Sequence, residues 1–178
     1  GGDLEKGTPI ASGILVETRG EAVALLKKLN VSGVEGLGGL MPEVEKAPLV
    51  LVGKNVVVDQ TSATPEEIEK SKEEARAIGA VTEGDRPVFA RTFPEAHAAT
   101  RFFPSALMLD RKQLVALHIH EALHRALPKE LREDEKVVSR VTLAISSEGA
   151  TFDRVNEAMA QVKTQGSSRP PTTASYNP

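Results

Sequence analysis

The chain contains 178 residues, of which 40% are hydrophobic and 26% are charged, and this size and composition predict one globular domain rather than a disordered or fibrous chain. The 22 basic and 25 acidic residues give a net charge of −3 without a basic block, so nucleic acid is not an expected partner. The absence of cysteine excludes disulfides and thiolate chemistry, and metal binding would therefore depend on His, Asp and Glu.

The first part of the chain predicts a strand, a helix and a loop. The aliphatic run at residues 12–18 is typical of a short strand, and residues 21–29 place apolar side chains at the spacing of an amphipathic helix. Residues 33–42 contain four glycines. They have neither the lysine and hydroxyl of a phosphate-binding loop nor the glycine order of a dinucleotide-binding motif, so we interpret them as a plain loop.

The next segment predicts a hairpin and a helix. Two β-branched aliphatic runs, at residues 49–52 and 56–58, are separated by three residues that include a glycine, which indicates a β-hairpin. A capping threonine, a proline at the first helical position and a closing glycine mark a helix over residues 64–79. We interpret its many charges as a solvated surface.

Two shorter elements and a tail complete this part of the prediction. Residues 88–92 favour a strand, and residues 95–103, which lie between two prolines, favour a short helix. Residues 166–178 are rich in Ser, Thr and Pro, so we expect a disordered tail after one domain that spans residues 1–165. No apolar run reaches the roughly 18 residues of a membrane-spanning helix, and we expect no transmembrane segment.

The segment that carries chemistry is a predicted helix from Asp110 to Pro128. Asp110 and a glutamine three residues later predict a capped start, and Pro128 stops the helix. Within it, His120-Glu121-Ala122-Leu123-His124 forms an H-E-x-x-H pattern. At about 100° of rotation per residue, the two imidazoles lie one turn apart and can bind one metal ion, and Glu121 lies beside them. This arrangement suits activation of a metal-bound water, with the carboxylate as general base.

The two remaining histidines have other expected positions. His118 is rotated by about 200° from His120 on the same helix, so it cannot bind the same ion and belongs to a second face. His97 lies on the separate element predicted at residues 95–103, and we interpret it as a surface or partly buried histidine.

A catalytic zinc normally has three protein ligands, and the chain after the motif helix offers the third. Apolar residues at helical spacing from Val138 to Ile145 predict a second helix that begins near Glu133 and packs antiparallel to the first. Two criteria for the third ligand disagree. In such a hairpin Glu135 lies level with His124, whereas the rotation per helical residue places Asp134 in line with the apolar residues of the second helix. We choose Glu135 because its longer side chain reaches farther, and keep Asp134 as the alternative ligand or as a supporting partner.

The segment resembles the zinc helix of the zincin metallopeptidases, and a downstream glutamate as third ligand makes it gluzincin-like. The resemblance covers residues 118–145. It implies Zn²⁺ held by His120 and His124, Glu121 as general base, and hydrolysis of a peptide or protein substrate. It also implies an α+β fold in which a small twisted sheet accompanies the motif helix and a following antiparallel helix. The glycine and third histidine of metzincins are missing, and Glu135 follows the motif more closely than the third ligand of most gluzincins.

The resemblance supplies no side chain that would stabilise an oxyanion. The tail tyrosine is the one Tyr in the chain, so the candidates are Arg125, Arg132, Arg140 or a backbone amide.

Two other functions are compatible with the same residues. The protein could be a non-enzymatic domain in which His120, His124 and Glu135 hold a structural or vestigial ion, or a metal-free interaction module whose helices bind a partner. A cysteine-free chain with a Pro/Ser/Thr-rich tail favours an exported or cell-envelope protein of a bacterium, with a signal peptide that is not part of this sequence. The oligomeric state is not predicted.

Overall fold

Five α-helices and four short strands form the described part of the protein, an α+β arrangement that confirms the predicted class. The computed structural model describes residues 7–52, 64–66, 69, 89–93, 95, 97–103, 106–107 and 109–168, with side chains to residue 163. In chain order the elements are β1 (Thr8–Pro9), α1 (Ile14–Lys28), a 3-10 turn (Val31–Gly33), α2 (Leu40–Lys46), β2 (Leu49–Leu51), β3 (Ala90–Arg91), β4 (Thr100–Phe102), α3 (Arg111–Ala126), α4 (Glu135–Ser146) and α5 (Phe152–Ser168).

The four strands form one mixed sheet in the order β1-β2-β4-β3. The central strands β2 and β4 are parallel, with Leu49 opposite Thr100, and each is flanked by an antiparallel edge strand. In β4 the side chains of Thr100 and Phe102 are buried, whereas Arg101 between them is partly exposed, as the two-residue period of a strand requires. The sheet therefore has one face toward the protein interior.

Helix α3 is the central element of the fold, because it contacts α1, α2 and α4 as well as β3 and β4. Its first turns place Leu114 among the buried side chains beneath the sheet. Farther along, Ile119 and Leu123 are fully buried in a second cluster, together with the apolar face of α4. Each such side chain contributes about 1.5–3 kcal/mol through burial. The motif helix thus packs against buried apolar clusters on both sides.

The strand predicted at residues 12–18 is wrong, because residues from Ile14 onward belong to α1. Leu15, Thr18 and Ala22 are buried at helical spacing, and the Thr18 hydroxyl donates a hydrogen bond to the carbonyl of Ile14 one turn earlier. A short aliphatic run fits a buried strand and a buried helix turn equally well. Here packing against α3 selects the helix.

The helix predicted at residues 95–103 is also wrong. Residues 100–102 form β4, which hydrogen-bonds to β2 on one side and to β3 on the other, and the described residues before it form a bend and a turn. His97 has a φ angle of 63°, a left-handed conformation that interrupts any helix. Pairing with strands that are distant in sequence determines this segment.

Other predictions on the N-terminal side hold in part. The glycine-rich loop at residues 33–42 ends earlier than expected, because α2 begins at Leu40; its proline lies in the first turn, where a missing N–H group costs little. Strand β2 confirms the first half of the predicted hairpin. The second half, residues 56–58, lies outside the described residues, and the described neighbours of β2 are β1 and β4.

Two predicted elements agree with the structure in the part that is described, and the predicted tail differs from it. The helix predicted at 64–79 is helical at residues 65, 66 and 69, the capping residue Thr64 lies outside the helix, and the remaining residues lie outside the description. The strand predicted at 88–92 is present as the shorter β3. Helix α5 was not predicted, and it extends to Ser168, so the first three residues of the predicted tail are helical, while 169–178 are not described.

None of the helices in the described ranges combines the length and the apolar character required to cross a membrane.

Candidate metal centre

The motif helix α3 begins and ends where its sequence predicts. The Asp110 carboxylate accepts a hydrogen bond of 2.8 Å from the backbone N–H of Gln113, and the Gln113 side-chain oxygen accepts one of 3.0 Å from the N–H of Asp110. This reciprocal capping box satisfies two N–H groups that a helix leaves without partners. The helix ends at Ala126, just before Leu127 and Pro128. Local signals therefore fix the register of the motif.

His118 occupies a different face of α3 from the other two histidines, as predicted. Its Nε2 lies 3.1 Å from the Thr18 hydroxyl, and its ring packs edge-on against Phe102, with 5.2 Å between the ring centroids. The side chain is buried between α1 and the sheet, and burial lowers the pKa of His118 to about 4. His118 is thus a neutral core histidine that joins three elements.

The chain between α3 and α4 turns tightly and brings Glu135 to the motif. Backbone hydrogen bonds to the Pro128 carbonyl from the N–H groups of Leu131 and Arg132 close this turn. Asp134 caps α4, because its carboxylate accepts hydrogen bonds from the N–H groups of Lys136 and Val137. Helix α4 begins at Glu135, two residues later than predicted.

The structure brings His120, His124 and Glu135 together near the turn that connects α3 to α4. His120 Nε2 lies 2.5 Å from Glu135 Oε1, and His124 Nε2 lies 3.4 Å from Glu135 Oε2. The two imidazole centroids are 5.2 Å apart, and one donor atom from each residue lies within 4.8 Å of the other two. Glu135, and not Asp134, thus meets both histidines.

The second nitrogen of each imidazole also has a partner. His124 Nδ1 lies 2.8 Å from the backbone carbonyl of Arg132. His120 Nδ1 lies 3.4 Å from the hydroxyl of Thr142, a buried residue on α4. Sequence reasoning did not identify Thr142, although a polar residue within the apolar face of a predicted helix is a usable signal.

The cluster is accessible from solvent on the side of α4. The side chains of His120 and His124 are each 21% exposed, whereas that of Glu135 is 60% exposed. A metal ion could reach the imidazole nitrogens past Glu135. The arrangement therefore combines two partly buried nitrogen donors with an exposed carboxylate.

Charge within the cluster changes the pKa values of its members. Hydrogen bonds from His120 and His124 hold the pKa of Glu135 well below its usual range. Burial lowers the pKa of His124, but the bond to Glu135 and the charge of Glu121 outweigh it and leave that pKa raised. Protons and metal cations would compete for the same nitrogen and oxygen atoms of this cluster.

Glu121 is buried next to His120 on α3. Its side chain is only 6% exposed. Burial raises the pKa of Glu121, while the charges of His120 and His124 act in the opposite direction. A carboxylate whose pKa is raised by burial is a stronger proton acceptor than an exposed one.

Arg125 follows the motif directly and is held inside the protein. Its Nε lies 3.0 Å from Glu43 Oε1, and its side chain is 1% exposed. One Nη also donates to the hydroxyl of Thr92, at the end of β3. Burial lowers the pKa of Arg125, and the Glu43 carboxylate counteracts this effect. Arg125 is therefore not available as an oxyanion donor. It joins α3 to α2 and to the sheet.

His97 contacts Glu43, the carboxylate that also binds Arg125, and lies outside the three-residue cluster. Its backbone N–H donates to the Glu43 carboxylate at 3.1 Å, and its Nδ1 lies 3.4 Å from the same group. The remaining arginine candidates also have internal partners: Arg132 Nε donates to the carbonyl of Leu127, and Arg140 donates to the side chain of Gln161.

Comparison with protein-family models, with curated proteins and with solved structures finds no match for this chain. The chemistry of the residues themselves therefore carries the functional argument.

Proposed function

We propose that the protein is a zinc-dependent, metallopeptidase-like hydrolase whose centre is His120, His124 and Glu135. The observation that carries this proposal is the convergence of two imidazole nitrogens and one carboxylate within 4.8 Å, because two histidines and a glutamate form a ligand set of hydrolytic zinc sites. The spacing of the two histidines on one face of α3 supports it as well.

In such a site the metal supplies Lewis-acid activation of water, whose pKa falls toward about 7. His120 Nε2, His124 Nε2 and a Glu135 oxygen would hold the ion. The buried Glu121 carboxylate would accept a proton from the attacking water and later deliver it to the nitrogen of the leaving amine. Its dry surroundings support this role, since burial makes the carboxylate a stronger base.

The zincin-like interpretation of the fold is part of the same proposal. It is supported by a motif helix that contacts the sheet strands β3 and β4 and by the following helix α4, which packs on it and carries the carboxylate. A peptide or protein substrate, Zn²⁺ as the metal, and an exported or cell-envelope location follow from the resemblance and the composition, and they are predictions.

A second candidate is a non-enzymatic domain with a structural or vestigial ion. The position of the cluster favours it: the three side chains link α3 to the first residue of α4, so an ion held there would fasten two helices together.

Metal analysis is the first test. Protein purified without a nickel column should contain about one zinc per chain, and His120→Ala should lose it because one of three ligands is gone. His97→Ala is the matched control, since His97 pairs with Glu43 outside the cluster, and it should retain the metal. A parent protein that takes up no zinc even after zinc is added would overturn the proposal in favour of the metal-free module.

Activity is the second test. Glu121→Gln should keep its zinc and lose peptide cleavage by roughly 10²–10⁴-fold, the usual contribution of a general base. If this variant cleaves as fast as the parent, the role of Glu121 is wrong. If the parent binds zinc but cleaves no peptide in a broad library, the non-enzymatic alternative is favoured.

A further inference from the structure

Both imidazoles of the candidate metal centre are held by their Nδ1 atoms as well as by their Nε2 atoms. For His124 the partner of Nδ1 is the Arg132 carbonyl, at 2.8 Å. A carbonyl oxygen can only accept a hydrogen bond, so Nδ1 must carry the proton. When the ring is neutral, the lone pair is therefore on Nε2, the nitrogen that faces Glu135.

The same reasoning applies to His120 through a different group. The Thr142 hydroxyl donates its single proton to the carbonyl of Val138, at 2.7 Å. Toward His120 its oxygen can then act only as an acceptor, so His120 Nδ1 is the donor. His120 Nε2, which lies 2.5 Å from Glu135, donates to this carboxylate while no cation is bound. A cation that binds there would replace the proton on Nε2, and Nδ1 would keep its own.

The two groups that hold His120 lie on one face of α4. Glu135 and Thr142 are seven residues apart, close to two turns of helix, and they contact opposite nitrogens of the same imidazole. Two side chains of α4 thus hold the His120 ring from its two nitrogens. The turn before α4 does the same for His124 through the Arg132 carbonyl.

We propose that Thr142 is the positioning residue of His120, and that it acts with the Arg132 carbonyl to present the Nε2 lone pairs of both histidines to one cation. This inference rests on the proposed metal centre. Partners of this kind set the tautomer and orientation of a metal-binding histidine, and their removal typically weakens metal binding 10–100-fold.

Zinc affinity tests this role, measured by competition with a fluorescent chelator. Thr142→Val keeps the shape of the side chain and removes the hydroxyl, so the dissociation constant should rise 10–100-fold, whereas Thr142→Ser should stay close to the parent. Ser146→Ala is the matched control, because Ser146 is a hydroxyl residue one turn farther along α4 whose bond goes to the backbone of Thr142. An unchanged affinity in Thr142→Val overturns the inference.

A spectroscopic measurement separates this inference from the proposed function and from a folding defect. Long-range ¹H–¹⁵N spectra of the metal-free protein report which imidazole nitrogens carry a proton, and the rate at which each N–H exchanges with water reports whether it is hydrogen-bonded. The parent should show a slowly exchanging Nδ1–H at His120 and at His124, and Thr142→Val should accelerate this exchange at His120 while His124 is unchanged. A His120 Nδ1 that carries no proton in the parent, or whose proton exchanges as fast as in Thr142→Val, overturns the inference. Failure of the parent to bind zinc overturns the proposed function, and the spectra then still decide whether Thr142 orients His120.

Discussion

His118 and His120 are two residues apart on one helix, but their surroundings give them opposite chemistry. His118 is 3% exposed and pairs with the Thr18 hydroxyl, whereas His120 faces a carboxylate at the edge of the protein. The 100° rotation per helical residue separates them. One helix can therefore contribute a neutral histidine to the core and a candidate ligand to the surface.

The depressed pKa of His118 predicts a loss of stability in acid. Below pH 6.5 the unfolded chain protonates this histidine, whereas the folded protein does so only near pH 4, so the unfolded state binds more protons and the free energy of unfolding falls as the pH falls. Between these two pH values the loss should be on the order of 3 kcal/mol.

His118→Gln isolates this effect, because glutamine can donate to the same hydroxyl but does not titrate. Urea unfolding at several pH values between 4 and 7 gives the free energy of unfolding of the metal-free parent and of the variant. This free energy should fall more steeply with decreasing pH in the parent than in the variant. An equal dependence on pH in the two proteins would show that His118 is not the group responsible.

At the scale of the element, two adjacent carboxylates at the start of α4 have different roles. Asp134 accepts hydrogen bonds from the N–H groups of the first turn, and Glu135 extends to the histidines. The shorter side chain suits the cap and the longer one suits the more distant contact.

Substitutions at Asp134 distinguish the cap from the alternative ligand. Asp134→Asn should leave the zinc dissociation constant and the stability near those of the parent, because asparagine caps helices as well as aspartate does, whereas Asp134→Ala should lose about 1 kcal/mol of stability. Denaturant unfolding and chelator competition measure the two quantities. A large loss of zinc affinity in Asp134→Asn would identify Asp134 as a ligand after all.

At the scale of the whole molecule, the candidate metal centre lies outside the apolar core. The buried face of α4, with Val138, Val141 and Ile145 at 0% exposure, packs into the helical core, and the cluster lies at the end of that helix. The scaffold should therefore fold without an ion.

Metal removal tests this independence. Protein treated with a chelator should retain its helical circular dichroism and a cooperative thermal transition, and zinc at a hundredfold excess over its dissociation constant should add about 3 kcal/mol of stability. His120→Ala should show no such gain. A metal-free protein without a cooperative transition would favour the structural ion over the catalytic one.

The sequence predicts the elements whose signals are local and misses those that depend on distant partners. The capping box, the apolar face and Pro128 all define α3 within 19 residues, and the structure has them as expected. By contrast, residues 100–102 form a strand only because β2 and β3 lie beside them. A short run of residues fits the two-residue period of a strand and the 3.6-residue period of a helix equally well.

The same distinction applies to the candidate site. Helical rotation predicts that His120 and His124 share a face and that His118 does not, and chain reversal after Pro128 predicts the approach of Glu135. Glu43 could not be predicted as the partner of Arg125, because it is 82 residues away and directly follows residues 33–42, whose glycines indicate a loop.

This difference in chain separation has a kinetic consequence. Fifteen residues separate His120 from Glu135, so closing the α3–α4 turn loses little chain entropy, whereas the Arg125–Glu43 pair and the parallel β2–β4 pairing require much longer loops to close. Contacts between residues close in sequence form fastest. We therefore expect the three candidate ligands to meet early in folding, before the sheet is complete, so that a nascent chain would offer a cation the candidate site while its central strands are still unpaired.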